Sequence, residues 1–170
     1  MDEPANVTLA ICTDRIGPNV AAIVGVLGPH VDQVLVMDYR EHPEAMHDAR
    51  RVELEAWGSQ RYPLLVRRLP HGQLSDAWNT AAAQASMLAG DSPWTLVLWA
   101  PDAMPDREVL GLLVAGVVDD YDLTFGPGAF AVGFPAGTSA ALCEGEHDSE
   151  ADCLLDLTAR IPQDRTALVA

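Results

Sequence analysis

The polar segments that directly follow apolar runs of this sequence contain its first candidates for chemistry. They are Thr13, Asp14 and Arg15 after residues 7–12, Asp38 and Arg40 after residues 31–37, and Asp102 after residues 94–99. Carboxylates can hold divalent cations or accept protons, and an arginine can bind a phosphate through two hydrogen bonds. These residue types indicate a site for a small polar ligand.

The same residues also have purely structural interpretations. Asp38 can cap its own turn at a strand end, and Asp102 can lie favourably at the start of a following helix. The two arginines can pair with surface carboxylates, which are abundant in this chain. Residue type alone therefore leaves both interpretations open.

The elements around these segments alternate between two kinds of pattern. Residues 7–12, 31–37, 62–69 and 94–99 read as strands, and residues 19–27, 43–57, 74–88 and 109–118 have helical length or spacing. This alternation predicts an α/β fold in which helices cover both faces of a mostly parallel sheet. Ligands of such sheets bind beyond the carboxyl ends of the strands. We therefore expect the polar segments to meet in one crevice.

The last fifty residues differ from the rest of the chain in composition and pattern. Glycines and prolines among apolar residues predict short strands and turns after residue 121, and an acidic stretch at 144–152 leads into a helix predicted at 151–161. No internal repeat separates this part from the rest. We predict a single domain over residues 1–170, with 121–170 as a divergent C-terminal part.

Composition excludes several classes of partner. The 170 residues include 10 Lys plus Arg against 25 Asp plus Glu, a net charge of −15, which repels nucleic acid and anionic membranes. Cys12, Cys143 and Cys153 lack C-x-x-C spacing, and no apolar run approaches the roughly 20 residues of a membrane span. We expect a cytoplasmic protein without a membrane span.

Four segments occur in the order and approximate spacing of family 2 glycosyltransferases. They are residues 7–13 (VTLAICT), 34–38 (VLVMD), 72–79 (GQLSDAWN) and 96–105 (LVLWAPDAMP). They resemble that family's first strand, its second strand ending in the nucleoside-holding aspartate, its G-x-x-x-A-R-N element, and its apolar strand running into D-x-D. The resemblance covers residues 6–110. It implies a GT-A-like, Rossmann-like three-layer α/β/α fold that binds a nucleotide diphospho-sugar.

The resemblance also implies a role for each matching residue. Asp38 would hold the nucleoside, Asp102 the diphosphate or its metal, and the other donor contacts would be Thr13, Asp14, Arg15, His71, Gly72 and Asn79. Ala100 stands where the family has the first D-x-D carboxylate, so Mg²⁺ or Mn²⁺ would be held only weakly, at Asp102. Trp78 replaces the basic residue before Asn79.

The family places its catalytic base at the head of a later helix, and the acidic stretch at 144–152 matches that position. Glu150 and Asp152 are the two candidates there. With either as base, the resemblance implies transfer of a sugar to a small-molecule or glycan acceptor.

Two departures keep other functions open. Because Ala100 removes a carboxylate and the chain is short, a non-catalytic glycosyltransferase-like partner or regulatory protein is one alternative. A repurposed enzyme on the same scaffold is another. A homodimer or a partner protein would cover apolar surface that the missing acceptor-binding part leaves exposed.

Overall fold

The computed structural model describes residues 6–39, 45–58, 60–69, 72–119, 122–135, 137 and 141–169. The strands in these ranges are β1 (Asn6–Thr13), β2 (Gln33–Asp38), β3 (Leu64–Arg68), β4 (Trp94–Trp99), β5 (Leu123–Gly126), β6 (Ala129–Phe134) and β7 (Thr166–Leu168). The α-helices are α1 (Pro18–Leu27), α2 (Ala45–Gly58), α3 (Leu74–Ala89), α4 (Arg107–Asp119) and α5 (Glu150–Thr158). The predictions for His71 and Arg40 lie outside the described residues.

All seven strands belong to one sheet, in the order β3-β2-β1-β4-β6-β5-β7. Strand β6 is antiparallel to β4 and β5, whereas every other pairing is parallel. The predicted α/β class with a mostly parallel sheet is confirmed. The order 3-2-1-4 is that of a doubly wound sheet, in which β2 and β3 lie on one side of β1 and β4 lies on the other. The strand order therefore changes direction between β1 and β4.

The central strands are apolar on both sides because helices cover both faces of the sheet. In β4, Leu96 and Leu98 pack into the core beneath α3 and α5, and Val97 and Trp99 pack into the core beneath α1, α2 and α4. Every residue of β4 is buried. The near-continuous apolar run at 94–99 is thus explained by a covered central position.

A tight turn joins β5 to β6 beside the end of β4. Gly128 has a φ of +72°, and a Cβ there would lie 2.4 Å from the Cβ of Ala103. Its carbonyl oxygen accepts a hydrogen bond from the backbone N–H of Ala100 at 2.8 Å. The turn therefore fixes the residue that follows β4, and it requires glycine both for its conformation and for its close contact.

We expect Gly128→Ala to destabilise the fold by about 1–3 kcal/mol, because it adds a steric clash to the cost of a positive φ. Gly90→Ala is the matched control: Gly90 has a φ of +59° and no atom within 4 Å of the added Cβ. Urea unfolding of both variants measures the difference. Equal losses of stability in the two variants would show that the close contact with Ala103 adds no cost to that of the positive φ.

Candidate functional site

A cavity of about 350 Å³ opens at the carboxyl ends of β1 and β4. It lies where the strand order changes direction, the place at which sheets of this kind bind ligands. Ala100, Pro101 and Asp102 after β4 line one part of it, and Cys12 and Asp14 from the end of β1 line another. The predicted crevice between these strand ends is therefore present.

Four carboxylates line this cavity. Asp14 follows β1, Asp102 lies between β4 and α4, and Asp148 and Glu150 lie at the start of α5. All four residues retain exposed surface, and the surroundings of Glu150 also shield it partly from water. Within the described part of the chain, no lysine, arginine or histidine lines the cavity with them. The acidic side chains of this site therefore cluster at the mouth of the cavity.

Asp102 acts electrostatically on Glu150 although the two residues are distant in sequence. Partial burial raises the pKa of the Glu150 carboxyl above its ordinary value, and the negative charge of Asp102 raises that pKa further. Both effects favour the protonated form of Glu150. A carboxyl with a raised pKa in a cleft has the property that a general base needs to take up a proton.

Asp152, the second candidate base, has a different environment. Ser149 caps α5: its hydroxyl accepts a hydrogen bond from the backbone N–H of Asp152 at 3.2 Å and donates one to Oδ2 of Asp152 at 2.9 Å. Asp152 is not among the residues that line the cavity. Of the two acids, the structure brings only Glu150 to the site.

Asp106, rather than Asp102, caps helix α4. Its Oδ1 accepts hydrogen bonds from the backbone N–H groups of Glu108 and Val109, at 2.9 and 3.3 Å. The structural role considered above for Asp102 is therefore performed by a neighbouring residue. Asp102 lies in the preceding turn and lines the cavity.

Asn79 anchors the segment before α5 to helix α3. Its side chain donates to the carbonyl oxygen of Cys143 at 3.0 Å and accepts from the N–H of Cys143 at 2.9 Å. Ser75 adds two hydrogen bonds to the backbone of His147. Asn79 lies outside the cavity lining, so the structure shows it positioning the segment that leads to Glu150.

Asp156 holds the same segment from the side of α5. Its carboxylate accepts hydrogen bonds from the backbone N–H groups of Glu144 and Gly145 and contacts Nε2 of His147 at 2.8 Å. The Gly145 and Glu144 bonds, with smaller contributions from His147 and Arg160, lower the pKa of Asp156 to about 2. The start of α5 is therefore fixed by an ionised aspartate.

The remaining predicted ligand residues lie next to the cavity and fix the backbone around it. The Thr13 hydroxyl donates to the Arg15 carbonyl at 2.6 Å and accepts from the Arg15 N–H at 3.0 Å, closing the turn that carries Asp14. Gly72 lies against the carbonyl oxygen of Tyr39, 3.4 Å from where a Cβ would be. Neither Thr13, Arg15 nor Gly72 lines the cavity.

Asp38 ends β2, in register with Thr13 of β1 and Arg68 of β3. The parallel strands therefore end side by side, as expected. Asp38 itself has no exposed surface and does not line the cavity, whereas the following residue, Tyr39, does.

Aromatic side chains form the floor of the cavity, and sequence reasoning missed part of this feature. Tyr39, Trp78 and Phe130 line it and are buried. Trp78 packs in the core, with its ring centroid 5.0 Å from that of Phe130. Phe130 reaches the site because β6 pairs with β4, with Leu98 opposite Phe130. Nothing in the local sequence indicates that pairing.

Comparison with known proteins adds no family to these observations. Neither a scan of protein-family models nor a search of curated proteins finds a match to this chain. Among the described residues, no group of three or more His, Cys, Asp or Glu side chains is arranged to hold a metal ion. No helix in the described ranges is long and apolar enough to cross a membrane.

The lowered pKa of Asp156 predicts acid sensitivity of the fold. Because the carboxyl has a pKa of about 2 when folded and 3.8 ordinarily, its ionised form stabilises the fold above about pH 4, and this contribution is lost as the pH falls towards 2. We expect Asp156→Asn to flatten the pH dependence of the urea midpoint in that window. Asp91→Asn, in an exposed turn, removes the same charge and should keep the wild-type profile. A steep profile in Asp156→Asn would contradict this account.

The raised pKa of Glu150 predicts the opposite dependence of stability on pH: ionisation of this carboxyl destabilises the fold. Ionising this carboxyl costs more in the folded than in the unfolded chain, so its effect on stability becomes unfavourable as the pH rises past the ordinary value of 4.5. We expect Glu150→Gln to raise the urea midpoint at about pH 7 and to leave it unchanged at about pH 3. Asp152→Asn should show no such gain, because Asp152 stabilises the cap of α5.

Proposed function

We propose that this protein is a GT-A-like glycosyltransferase that binds a nucleotide diphospho-sugar and transfers the sugar to a hydroxyl-bearing acceptor. The observation that carries the proposal is that Glu150 and Asp102 both line the cavity where the strand order changes direction, near enough for the charge of Asp102 to raise the pKa of Glu150. The resemblance assigned Asp102 to the diphosphate site and either Glu150 or Asp152 to the base, from separate parts of the sequence. The convergence of Asp102 and Glu150 at one cavity is what a transferase requires.

The sheet is compatible with such a scaffold. Strands β1 to β4 are arranged as in a doubly wound nucleotide-binding sheet, and the site lies beyond their carboxyl ends. The four segments that resemble family 2 enzymes include all of β1 and β4 except Asn6, Trp94 and Thr95. The assignment to the GT-A type is part of the proposal.

On the donor side, Asp102 is the residue that would hold Mg²⁺ or Mn²⁺. Carboxylate oxygens suit these ions, and because no group of three protein ligands is preformed in the described residues, phosphate oxygens and water would complete the coordination. The metal, when bound, neutralises charge on the departing diphosphate. Asp14, on the opposite strand end, lines the same cavity and adds negative charge there.

On the acceptor side, Glu150 takes up the proton of the acceptor hydroxyl. As the hydroxyl oxygen bonds to the anomeric carbon and the nucleotide diphosphate leaves, the proton passes to the Glu150 carboxylate. Burial and Asp102 both increase the proton affinity of this group. The hydrogen bonds of Asn79 and Asp156 hold the segment before α5 and therefore keep Glu150 in position.

Ala100 is the observation that favours a non-catalytic partner instead. Its backbone is held by the β5–β6 turn, and it lines the cavity at the place of the missing carboxylate. A third alternative, nucleophilic catalysis by Cys12, is disfavoured because burial and the neighbouring Cys153 and Cys143 raise the pKa of this thiol.

Calorimetric titration with UDP, GDP and TDP, each with and without Mn²⁺, tests the proposal. We expect metal-dependent binding of at least one diphosphate, weakened about tenfold in Asp102→Asn through loss of a charged ligand. Ala100→Asp, which restores the second carboxylate, should strengthen Mn²⁺-dependent binding by a similar factor. Asp91→Asn is the charge-matched control and should bind as the wild type does.

Catalysis is tested separately from binding. Glu150→Gln should retain Mn²⁺-dependent diphosphate binding but lose hydrolysis or transfer of the matching nucleotide sugar, because the amide cannot take up the proton. Absence of diphosphate binding under every condition would favour the partner function. Binding without a metal requirement would favour a repurposed enzyme.

A further inference from the structure

Two of the three cysteines meet in the core beneath helices α3 and α5. Cys143 lies in the segment before α5, Cys153 lies on α5 itself, and both are buried in the same apolar cluster. Their side chains are hydrogen-bonded to each other. A buried cysteine commonly serves as a small apolar side chain, and its chemistry becomes important when another reactive group is near. Here two oxidisable thiols are in direct contact.

The backbone holds both cysteines in this arrangement independently of the thiol contact. The side chain of Asn79 bonds the N–H and the carbonyl oxygen of Cys143, at 2.9 and 3.0 Å. The following N–H, that of Glu144, donates to Asp156, which lies three residues after Cys153 on α5. Residues three apart share one face of a helix. Cys143 is therefore fixed against the face of α5 that carries Cys153.

The two thiols differ in acidity. Burial raises the pKa of both, but their mutual hydrogen bond lowers the pKa of Cys143 and raises that of Cys153. The Cys153 thiol is thus the donor of this bond and Cys143 the acceptor. Because the attacking species in disulfide exchange is a thiolate, Cys143 is the nucleophile of the pair. The third cysteine, Cys12, lies in the same cluster and is the competing partner for either thiol.

We propose that Cys143 and Cys153 form a modification site, a dithiol that a low-molecular-weight disulfide oxidises to an intramolecular disulfide bond. The Cys143 thiolate attacks the small disulfide and displaces one of its sulfur atoms as a thiolate. Cys153 then attacks the sulfur of Cys143 and displaces the second small thiolate. The protons of the two protein thiols pass to the two leaving groups. Two protein thiols are thereby oxidised, and one small disulfide is reduced to two thiols.

Burial determines when this exchange can occur. Because both thiols are hidden from water, the small disulfide reaches them while the chain folds or when residues 141–149, which have no regular secondary structure, open locally. The new bond closes a short loop over residues 144–152 and ties this segment covalently to α5. An effect on catalysis by Glu150 rests on the proposed function. Formation of the bond does not.

Refolding in a glutathione buffer tests the proposal without requiring access to the folded core. The reduced full chain is diluted from urea into mixtures of reduced and oxidised glutathione, and a second sample remains in urea at the same ratios. We expect the equilibrium constant for the Cys143–Cys153 bond to be at least about tenfold larger in the folded chain, because the fold holds the two sulfur atoms together. Acid quenching, alkylation and peptide mass spectrometry measure it. The folded chain in the same mixtures should reach the same end point more slowly.

Single substitutions identify the pair. Cys153→Ser should abolish the intramolecular bond and leave only mixed disulfides with glutathione, whereas Cys12→Ser should keep the wild-type equilibrium constant. The two variants are matched, since each removes one buried thiol from the same cluster. Circular dichroism establishes that each variant is folded. Should either fail to fold, the peptide map of the wild type identifies the bonded cysteines by itself.

Several results would overturn the proposal. Equal equilibrium constants in the folded chain and in urea would show that the fold does not hold the two sulfur atoms together. A bond from Cys12 to either cysteine, or a bond between two chains, would show that the pair is wrongly assigned. Mixed disulfides with glutathione alone would show that no second thiol is within reach. Because these samples contain no nucleotide or metal, their outcome is independent of the UDP, GDP and TDP titrations.

Discussion

The parallel pairing of β1 with β4 is the constraint on which the site depends. Their registered backbone hydrogen bonds place Asn6–Ala10 beside Trp94–Leu98, so that the two chains leave the sheet at the same edge. The connection before β2 lies over one face of β1, and the connection into β4, through α3, lies over the other. The loops therefore diverge, and a crevice remains between them.

The part of the site formed by Asp148 and Glu150 comes from outside the parallel strands, and other contacts must hold it in position. The segment 141–149 has no regular secondary structure, and it carries Asp148 to the cavity and leads directly into Glu150. Its polar backbone is satisfied by side chains of α3 and α5, chiefly Asn79 and Asp156. A segment without regular secondary structure thus acquires a defined position from these hydrogen bonds together with the burial of Leu142 and Cys143 in the core.

The sequence predicted most of the elements because their signals are local. The apolar run at Trp94–Trp99 was predicted to the residue, and α1 and α3 to within one residue at each end. The start of β2 was placed too early, since Asp32 turns back to accept a hydrogen bond from the Val7 N–H at 2.8 Å. The position of β6 between β4 and β5, and with it the aromatic floor completed by Phe130, depends on long-range pairing that no local pattern encodes. Asn79 shows the same limit: its motif was visible, but its partner, Cys143, was not.

The distribution of the site along the chain affects when it can exist during synthesis. Asp14, Tyr39 and Trp78 belong to the first half of the chain, whereas Glu150 lies on the last helix. A ribosome exposes residues from the N-terminus onwards, so the early strands can associate before α5 has emerged. The acidic mouth is therefore completed only in the nearly finished polypeptide, and a nascent chain lacking α5 would present an open, unoccupied groove above β4.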